Sequence, residues 1–380
     1  MKLIEFGTIS HIKKGKKPLR QIDKPQDGYR PYVDIEAFET GNVKMYTDGE
    51  KCLPCKVGDI LIVCDGSRSG FVGKAIDGYV GSTLAIISAD GMSQEYLYYF
   101  LQGKYALLNT KKKGTGTPHL DANILNQQKL VVPSLEEQKR VVARIEELFS
   151  ELDNGVETLK KTKQQLAIYR QAVYASVYQE NDMRPITDFF EVSGGLTKNS
   201  KRNELSLKMP YLRVANVYYN ELDLSEIKFI GVSENEVQKT TLKKDDLLFV
   251  EGNGSKEQIG RVAMWDGSIE NCLHQNHLIK GRPLGNMLPK YALFYLISAH
   301  GRKQILRVAS STSGLYTLST NKVRNLLIPF VDIENQKQCI SIIEERLSVC
   351  DSIEKAVDIA LQQAEAMRQS ILKKSFEGEL

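Results

Sequence analysis

Residues Leu135–Tyr178 read LEEQKRVVARIEELFSELDNGVETLKKTKQQLAIYRQAVYASVY, and residues Ile333–Phe376 answer them with IENQKQCISIIEERLSVCDSIEKAVDIALQQAEAMRQSILKKSF. The two stretches align without a gap. Glu136, Gln138, Lys139, Ile145, Glu146, Glu147, Ser150, Asp153, Gln164, Gln165, Arg170 and Gln171 recur as Glu334, Gln336, Lys337, Ile343, Glu344, Glu345, Ser348, Asp351, Gln362, Gln363, Arg368 and Gln369. Those 12 identities in 44 positions compare with roughly one in seventeen positions from composition alone. An internal repeat of this kind sets the architecture before any single element does.

Both copies read as long helices. Ile145, Leu152, Leu159, Leu166 and Val173 are spaced by seven, with Val142, Phe149, Val156 and Val177 in a second seam; the later copy places Ile343, Cys350, Val357, Ala364 and Ile371 at the same phase. Apolar residues at this period over several heptads, with charge elsewhere, predict a coiled coil. Lys163 and Arg170 interrupt the first seam, Glu354 and Arg368 the second; such breaks fix register and partner at some cost in packing. Two copies of matching length, each closing one half of the chain, predict two arms that pair with each other. Gln138, Ile145, Leu152, Leu159, Leu166 and Val173, with Gln336, Ile343, Val357 and Ile371, are the expected pairing or partner-facing positions.

With 380 residues, 42% hydrophobic and 26% charged, the chain has the length for two domains and ordinary soluble composition. No apolar run reaches bilayer-spanning length, and MKLIEFGTIS lacks signal-peptide form. Six scattered cysteines suit a reduced, cytoplasmic setting. The net charge of +4 is unevenly divided. Residues 1–130 carry 18 basic and 14 acidic side chains and residues 181–330 carry 20 and 15, whereas 131–180 has 7 and 8 and 331–380 has 6 and 10. Basic globular segments joined to acidic helices fit a protein that grips a polyanion at two places.

The segment before the first arm reads as strands at YRPYVDI, DILIVCDG, GYVGSTLAIIS and QQKLVVP, with a helix over Gln94–Asn109. The segment before the second arm replays this. Pro31-Tyr32-Val33 is echoed by Pro210-Tyr211-Leu212, Asp59-Ile60-Leu61 by Asp246-Leu247-Leu248, and Gly73-Lys74 by Gly260-Arg261, with a helix over Lys290–Leu306. Between these anchors the two differ almost completely. The fold expected is α+β: two globular mixed α/β domains separated by two long antiparallel coiled-coil helices, with approximate twofold internal repetition.

Catalytic constellations are mostly missing. GSRSGFVGK (66–74) has the wrong glycine spacing for a phosphate loop, and Ala75 stands where Ser or Thr would hold magnesium. There is no Gly-x-Gly-x-x-Gly after a strand and no Asn-Pro-Pro-aromatic run of the kind that serves methyl transfer to a base amine. His11, His119, His274, His277 and His300 lack zinc-ligand spacing, and Cys52-Leu-Pro-Cys55 with Cys64 has no second pair to complete a site.

Two unlike globular segments, each followed by a like helix, resemble the specificity subunit of a type I DNA restriction–modification system over essentially the whole chain. The local carriers are Pro133-Ser134-Leu135-Glu136-Glu137-Gln138-Lys139 and Ile328-Pro329 with Glu334-Asn335-Gln336-Lys337, similar to the family's entry into each conserved helix, and the ending Met367–Leu380. Asn335 departs from the common Glu, and the central copy lacks the Gly after Tyr178. The resemblance implies target-recognition domains at 1–132 and 181–330, a central conserved helical spacer at 133–180 and a C-terminal one at 331–380. Each domain would read one half of a split double-stranded DNA site. Two modification subunits that bind S-adenosylmethionine, and restriction subunits that use ATP and magnesium, would be partners. The chain itself would hold no cofactor and no metal, do no bond chemistry and meet no membrane. A self-contained DNA methyltransferase and a coiled-coil scaffold that leaves DNA alone are the alternatives.

Phosphate contacts position a DNA reader and base-edge contacts specify its site. In the first segment the candidate readers are Ser67, Arg68, Ser69 and Lys74 in the glycine-rich loop, and Lys111, Lys112, Lys113, Thr115, Thr117 and His119 in KKKGTGTPH. In the second they are Asn253, Ser255, Lys256 and Arg261, then Gln275, Asn276 and His277, then Ser311, Thr312 and Tyr316. Glycine turns let backbone approach a phosphate closely.

Overall fold

The computed structural model describes residues 3–111, 118–178, 182–312 and 314–378. It forms two compact units, residues 1–160 with 358–380, and residues 161–357. The division falls inside both arms, so each unit holds part of each. The arms are single helices, Leu135–Val177 and Ile333–Glu377.

The first unit is built on an antiparallel sheet in the order Ser10–Lys14, Leu84–Ala89, Ile60–Val63, Val72–Lys74. The central strand is apolar and buried on both faces, because the helix Gln94–Thr110 contributes Leu97, Phe100, Leu101 and Leu108 to one side. A second sheet pairs Arg30–Val33 in parallel with Gly78–Val80 and packs Val33, Val80 and Leu84 on the other side. Leu3–Glu5 pairs with Lys129–Val131 where the chain enters the arm.

The second unit repeats the main sheet strand for strand and adds a three-stranded sheet, Gly252–Asn253, Leu315–Thr317 and Ser310–Thr312, where the first, among the described residues, has the single bridge between Asp65 and His119. Its sheet runs Phe190–Ser193, Leu278–Pro283, Leu247–Val250, Val262–Met264, and Lys208–Leu212 pairs in parallel with Leu273–His274. Equivalent positions drift apart along the chain. Leu3 corresponds to Met183 in one strand pair, Lys129 to Leu327 in the same pair, so the second unit gains its extra length in the loops between. The strand echoes at Tyr32/Tyr211 and Leu61/Leu248 match the observed registers.

The Gly73-Lys74/Gly260-Arg261 echo is corrected by three residues. Gly70 N–H donates to Val63 O as Gly260 N–H donates to Val250 O, and Val63 N–H donates to Phe71 O as Val250 N–H donates to Arg261 O. Gly70 and Gly260 are therefore partners. Both have positive φ (91° and 63°), and a Cβ on either would lie 2.7 Å from Leu108 or 2.4 Å from Ile305. Glycine is required twice for the same reason: the turn must fold flat against a helix.

A second correction concerns the helix expected over Lys290–Leu306. It is two helices, Pro289–Ile297 and Ala299–Val308, broken at the buried Ser298. The Ser298 hydroxyl donates to Tyr295 O (2.6 Å) and accepts from Gly301 N–H (3.3 Å), ending one helix and capping the next.

The arms pack antiparallel within each unit. In the first, Ile145 and Phe149 near the start of one arm pack with Leu372 near the end of the other, flanked by Ile371 and Phe376. In the second, Val173 and Tyr174 share a core with Ile343. Leu166 and Val357 are buried, whereas Leu152, Leu159 and Ile371 are half-buried.

Each arm also closes a domain it does not follow directly. Phe376 packs edge-on against Tyr96 and Phe100 (centroids 5.0 and 5.5 Å), and its counterpart Tyr178 packs against Tyr291 and Tyr295 (5.1 and 5.2 Å). Tyr178 adds a hydrogen bond to Tyr291 O at 2.8 Å.

Candidate nucleic-acid interface

Each sheet has an arm end and a loop end. In the first unit the arm end is fastened by Gln138, wholly buried, which accepts from Ser93 N–H (2.8 Å) and donates to Gly91 O (2.6 Å) and Pro133 O (3.0 Å). Gln336 does the same in the second unit, accepting from Leu288 N–H (2.7 Å) and donating to Val331 O (2.7 Å). These two glutamines recur because they pin helix to domain. The sequence set them among the pairing or partner-facing positions, and their hydrogen bonds go to the adjacent domain.

The opposite end gathers most of the candidate readers; Lys74, paired with Ile60 at the start of the central strand, lies instead at the arm end. In the first unit the strands there finish at Val63 and begin at Leu84, with Lys14 beside Ala85. Asp65 follows Val63 and bridges to His119, Gly66 N–H donates to Pro118 O (2.8 Å), and Leu120 N–H donates to Cys64 O (2.8 Å). The glycine-rich loop at 65–69 thus meets the segment 118–120, with the Ser69 hydroxyl also 3.2 Å from Pro118 O. Asn109 ties them further, donating to Ser67 O (3.0 Å) and Ser69 O (3.1 Å). In the second unit Gly252 and Asn253 pair with Thr317 and Tyr316, and Leu318 N–H donates to Glu251 O (2.6 Å), so the same two loops meet again.

The individual side chains divide by exposure. Arg68 is 44% exposed, pairs with Glu39 and lies over the Phe71 ring at 4.2 Å. Lys74 and Lys111 are exposed, Lys74 over Tyr98 at 5.5 Å. Ser69 is sealed, its hydroxyl donating to Gly66 O at 2.7 Å; burial removes it from the candidate readers and makes it a loop staple. Arg261 is 7% exposed, with Gln258 and Val214 O as acceptors and Tyr218 at 4.9 Å, so it is a packing residue where Arg68 is a surface one. Asn253 is half-buried, accepting from Ser255 N–H at 2.9 Å, and Ser255 donates to Glu257 at 2.8 Å. Lys256 and His277 are exposed, while Gln275, Asn276 and Tyr316 are half-buried. Lys112, Lys113, Thr115, Thr117 and the side chains of Ser311 and Thr312 lie outside the described residues.

Sequence reasoning missed Lys14, Asp65 and Glu251. Lys14 and His119 both bond Asp65, at 2.8 and 2.7 Å. Burial alone would raise the Asp65 carboxyl, but these two partners outweigh it and hold it below the usual carboxylate value. Residues 14, 65 and 119 share no sequence spacing; only the strand order brings them together. Among the described residues no three His, Cys, Asp or Glu side chains gather as a metal site, and no helix is long and apolar enough to cross a membrane.

The family model of the type I restriction modification DNA specificity domain matches this chain twice, over residues 1–167 and 178–363. The chain belongs to that family. It is 24% identical over 401 residues to the EcoKI specificity subunit of Escherichia coli K12, covering 98% of this chain and 84% of that one. To the MjaVIII specificity subunit of Methanocaldococcus jannaschii it is 26% identical over 406 residues, covering 100% and 92%. Among solved structures it resembles a chain from work on complex assembly and conformational transition of the type I R-M system, with TM-score 0.73, 17% identity and coverage of 100% and 98%. It also resembles the HsdS subunit of Thermoanaerobacter tengcongensis, with TM-score 0.55, 16% identity and coverage of 100% and 97%. The family's fold accounts for both units and both arms. This is a specificity subunit and not a catalytic one, and neither the self-contained methyltransferase nor the protein-only scaffold is supported.

Proposed function

We propose that this specificity subunit reads a split double-stranded DNA site, one half-site per domain, with the loop end of each sheet facing a major groove. One observation carries the reading. Both units bring the same two loops together at the end of the sheet opposite the arm, on matching strands, while the loop side chains differ. A duplicated scaffold with unlike loops is what two different half-sites require.

The globular segments supply the positive charge, and long-range attraction to phosphate follows from it. The arms, acidic and partly apolar outside the seam, offer docking surface for two modification subunits carrying S-adenosylmethionine and for restriction subunits carrying ATP and magnesium. The paired arms set the permitted spacer. Half-sites read on one face of the duplex are separated by about one helical turn, roughly 34 Å. The complex would work in the cytoplasm, where DNA is accessible.

The test is methylome sequencing of a host that expresses this chain with its modification subunit. A two-part motif with a fixed gap is expected, and removal of one heptad from each arm should change the gap. A single uninterrupted motif, or a gap indifferent to arm length, would refute the reading.

A further inference from the structure

Each domain holds an imidazole against a carboxylate at its loop end. Asp65 Oδ1 meets His119 Nδ1 at 2.7 Å, and Glu251 Oε2 meets His277 Nδ1 at 2.9 Å. Both rings are 55% exposed while the carboxylates are more sheltered, at 17% and 31%. An ionised carboxylate only accepts hydrogen bonds, so the ring proton must sit on Nδ1. A neutral imidazole held this way keeps Nε2 as its remaining polar atom, an acceptor on a half-exposed ring.

Duplication alone does not explain the coincidence. By strand register Glu251 corresponds to Cys64 and His277 to Thr83: Cys64 N–H donates to Thr83 O as Glu251 N–H donates to His277 O. Asp65 and His119 correspond instead to Gly252 and Thr317. The two domains therefore place a carboxylate–imidazole pair at the same end of the same strand through different positions. Among the described residues the remaining pair of this type, His11 with Asp90, bonds through Nε2 and lies beside Ala89 at the arm end, away from the loops.

We infer that His119 and His277 each read an exocyclic base amine in the major groove, adenine N6 or cytosine N4, and that Asp65 and Glu251 are positioning residues that fix the reading tautomer. These amines are the donors that a base pair presents in that groove. Lys14, on the second oxygen of Asp65 at 2.8 Å, compensates the carboxylate on a face that must approach phosphates. The inference rests on the DNA reading proposed above and deepens it.

The experiment uses the full chain assembled with its modification subunit and a library of duplexes randomised in both half-sites. Asp65→Asn and Glu251→Gln are nearly isosteric, and their amides can donate to Nδ1, turning Nε2 into a donor. Asp65→Asn should move the preference at one position of one half-site from an amine-bearing base to guanine or thymine by about ten-fold, leaving the other half-site unchanged. Glu251→Gln should do the converse. His119→Ala and His277→Ala should relax the same two positions. In single-substituted duplexes, a purine lacking the N6 amine should weaken wild-type binding if adenine is read, and a pyrimidinone lacking the N4 amine if cytosine is read; the matching His→Ala chain should be indifferent. Unchanged profiles in all four variants, or affinity lost evenly across every sequence, would overturn the inference while leaving the split-site reading standing. A wild-type complex without any split preference would sink both.

Discussion

Arg170 of the first arm donates to Asp351 of the second at 2.7 Å. The same contact recurs in the other unit, where Arg368 reaches Asp153, and these are the repeat's own equivalents with the arms exchanged. Reciprocity of this kind is the mark of a self-complementary interface, here between two copies within one chain. Glu354 joins the first pair, accepting from Arg170 at 2.8 Å and lying 3.8 Å from Lys163. The charged residues that interrupt each heptad seam therefore answer one another. Arg170→Ala should cost about 1 kcal/mol, since the pair is partly exposed. Asp351→Ala in the Arg170→Ala background should add little, and full additivity in urea unfolding would mean the contact is idle.

Gln138 and Gln336 predict a larger effect. Replacing Gln138 with Ala strands the Ser93 N–H and the Gly91 carbonyl beside a side chain of zero exposure. The cost should be about 2–3 kcal/mol, more than for any exposed charge on the arms. Hydrogen exchange should quicken at residues 91–93 in the first variant, and at Leu288 in Gln336→Ala. Equal protection in variant and parent would show that the glutamines are not the fasteners.

His274 gives the second unit an acid sensitivity that the matching position of the first does not supply. Burial, and then the nearby Lys280 charge, push its pKa down to about 3. At the matching register the first unit has Val80, since Val33 pairs with Val80 as Leu212 pairs with His274. A folded-state pKa below the unfolded value of about 6.5 means full stability above that pH. Stability is then lost as pH falls toward 3, at up to about 1.4 kcal/mol per pH unit. Local exchange between pH 7 and 5 should loosen residues 161–357 before residues 1–160. His274→Val should abolish that difference; if the second unit stays the more acid-labile, the cause lies elsewhere.

Much of this was legible in the sequence because the repeat could be read twice. Heptads gave both arms, and short continuous apolar runs gave the central strands at Ile60–Val63 and Leu247–Val250. What stayed hidden depended on tertiary burial. Ser298-Ala-His-Gly looks like helix interior by periodicity, yet a buried hydroxyl and a glycine pressed on Tyr295 O break the helix there. Gln138 and Gln336 were visible as repeated residues, but a heptad reading has no means of telling a seam from a fastening to the neighbouring domain. The sequence collects the loop side chains into clusters and treats them as equals, since residue type alone does not separate the sealed Ser69 from the exposed Arg68.

That distinction separates two arginines that the sequence offers alike as candidate readers. Arg68 stands at the surface over Phe71, held by Glu39. Arg261 is buried, its Nη atoms spent on Gln258 and Val214 O and its Nε left without a hydrogen-bond partner. Arg68→Ala should leave stability within about 0.5 kcal/mol, as for most surface changes, yet weaken DNA binding by the assembled complex. If Arg68 neutralises a phosphate, the slope of log K against log salt should fall by about one. Arg261→Ala should do the reverse: about 2 kcal/mol lost from the second unit and an unchanged salt slope once the folded fraction is accounted for. The check is paired, with urea unfolding for stability and fluorescence anisotropy on a cognate duplex from 50 to 200 mM salt. A reduced slope for Arg261→Ala together with a parental slope for Arg68→Ala would mean that the buried guanidinium turns outward on DNA, and the assignment of the two arginines would have to be exchanged.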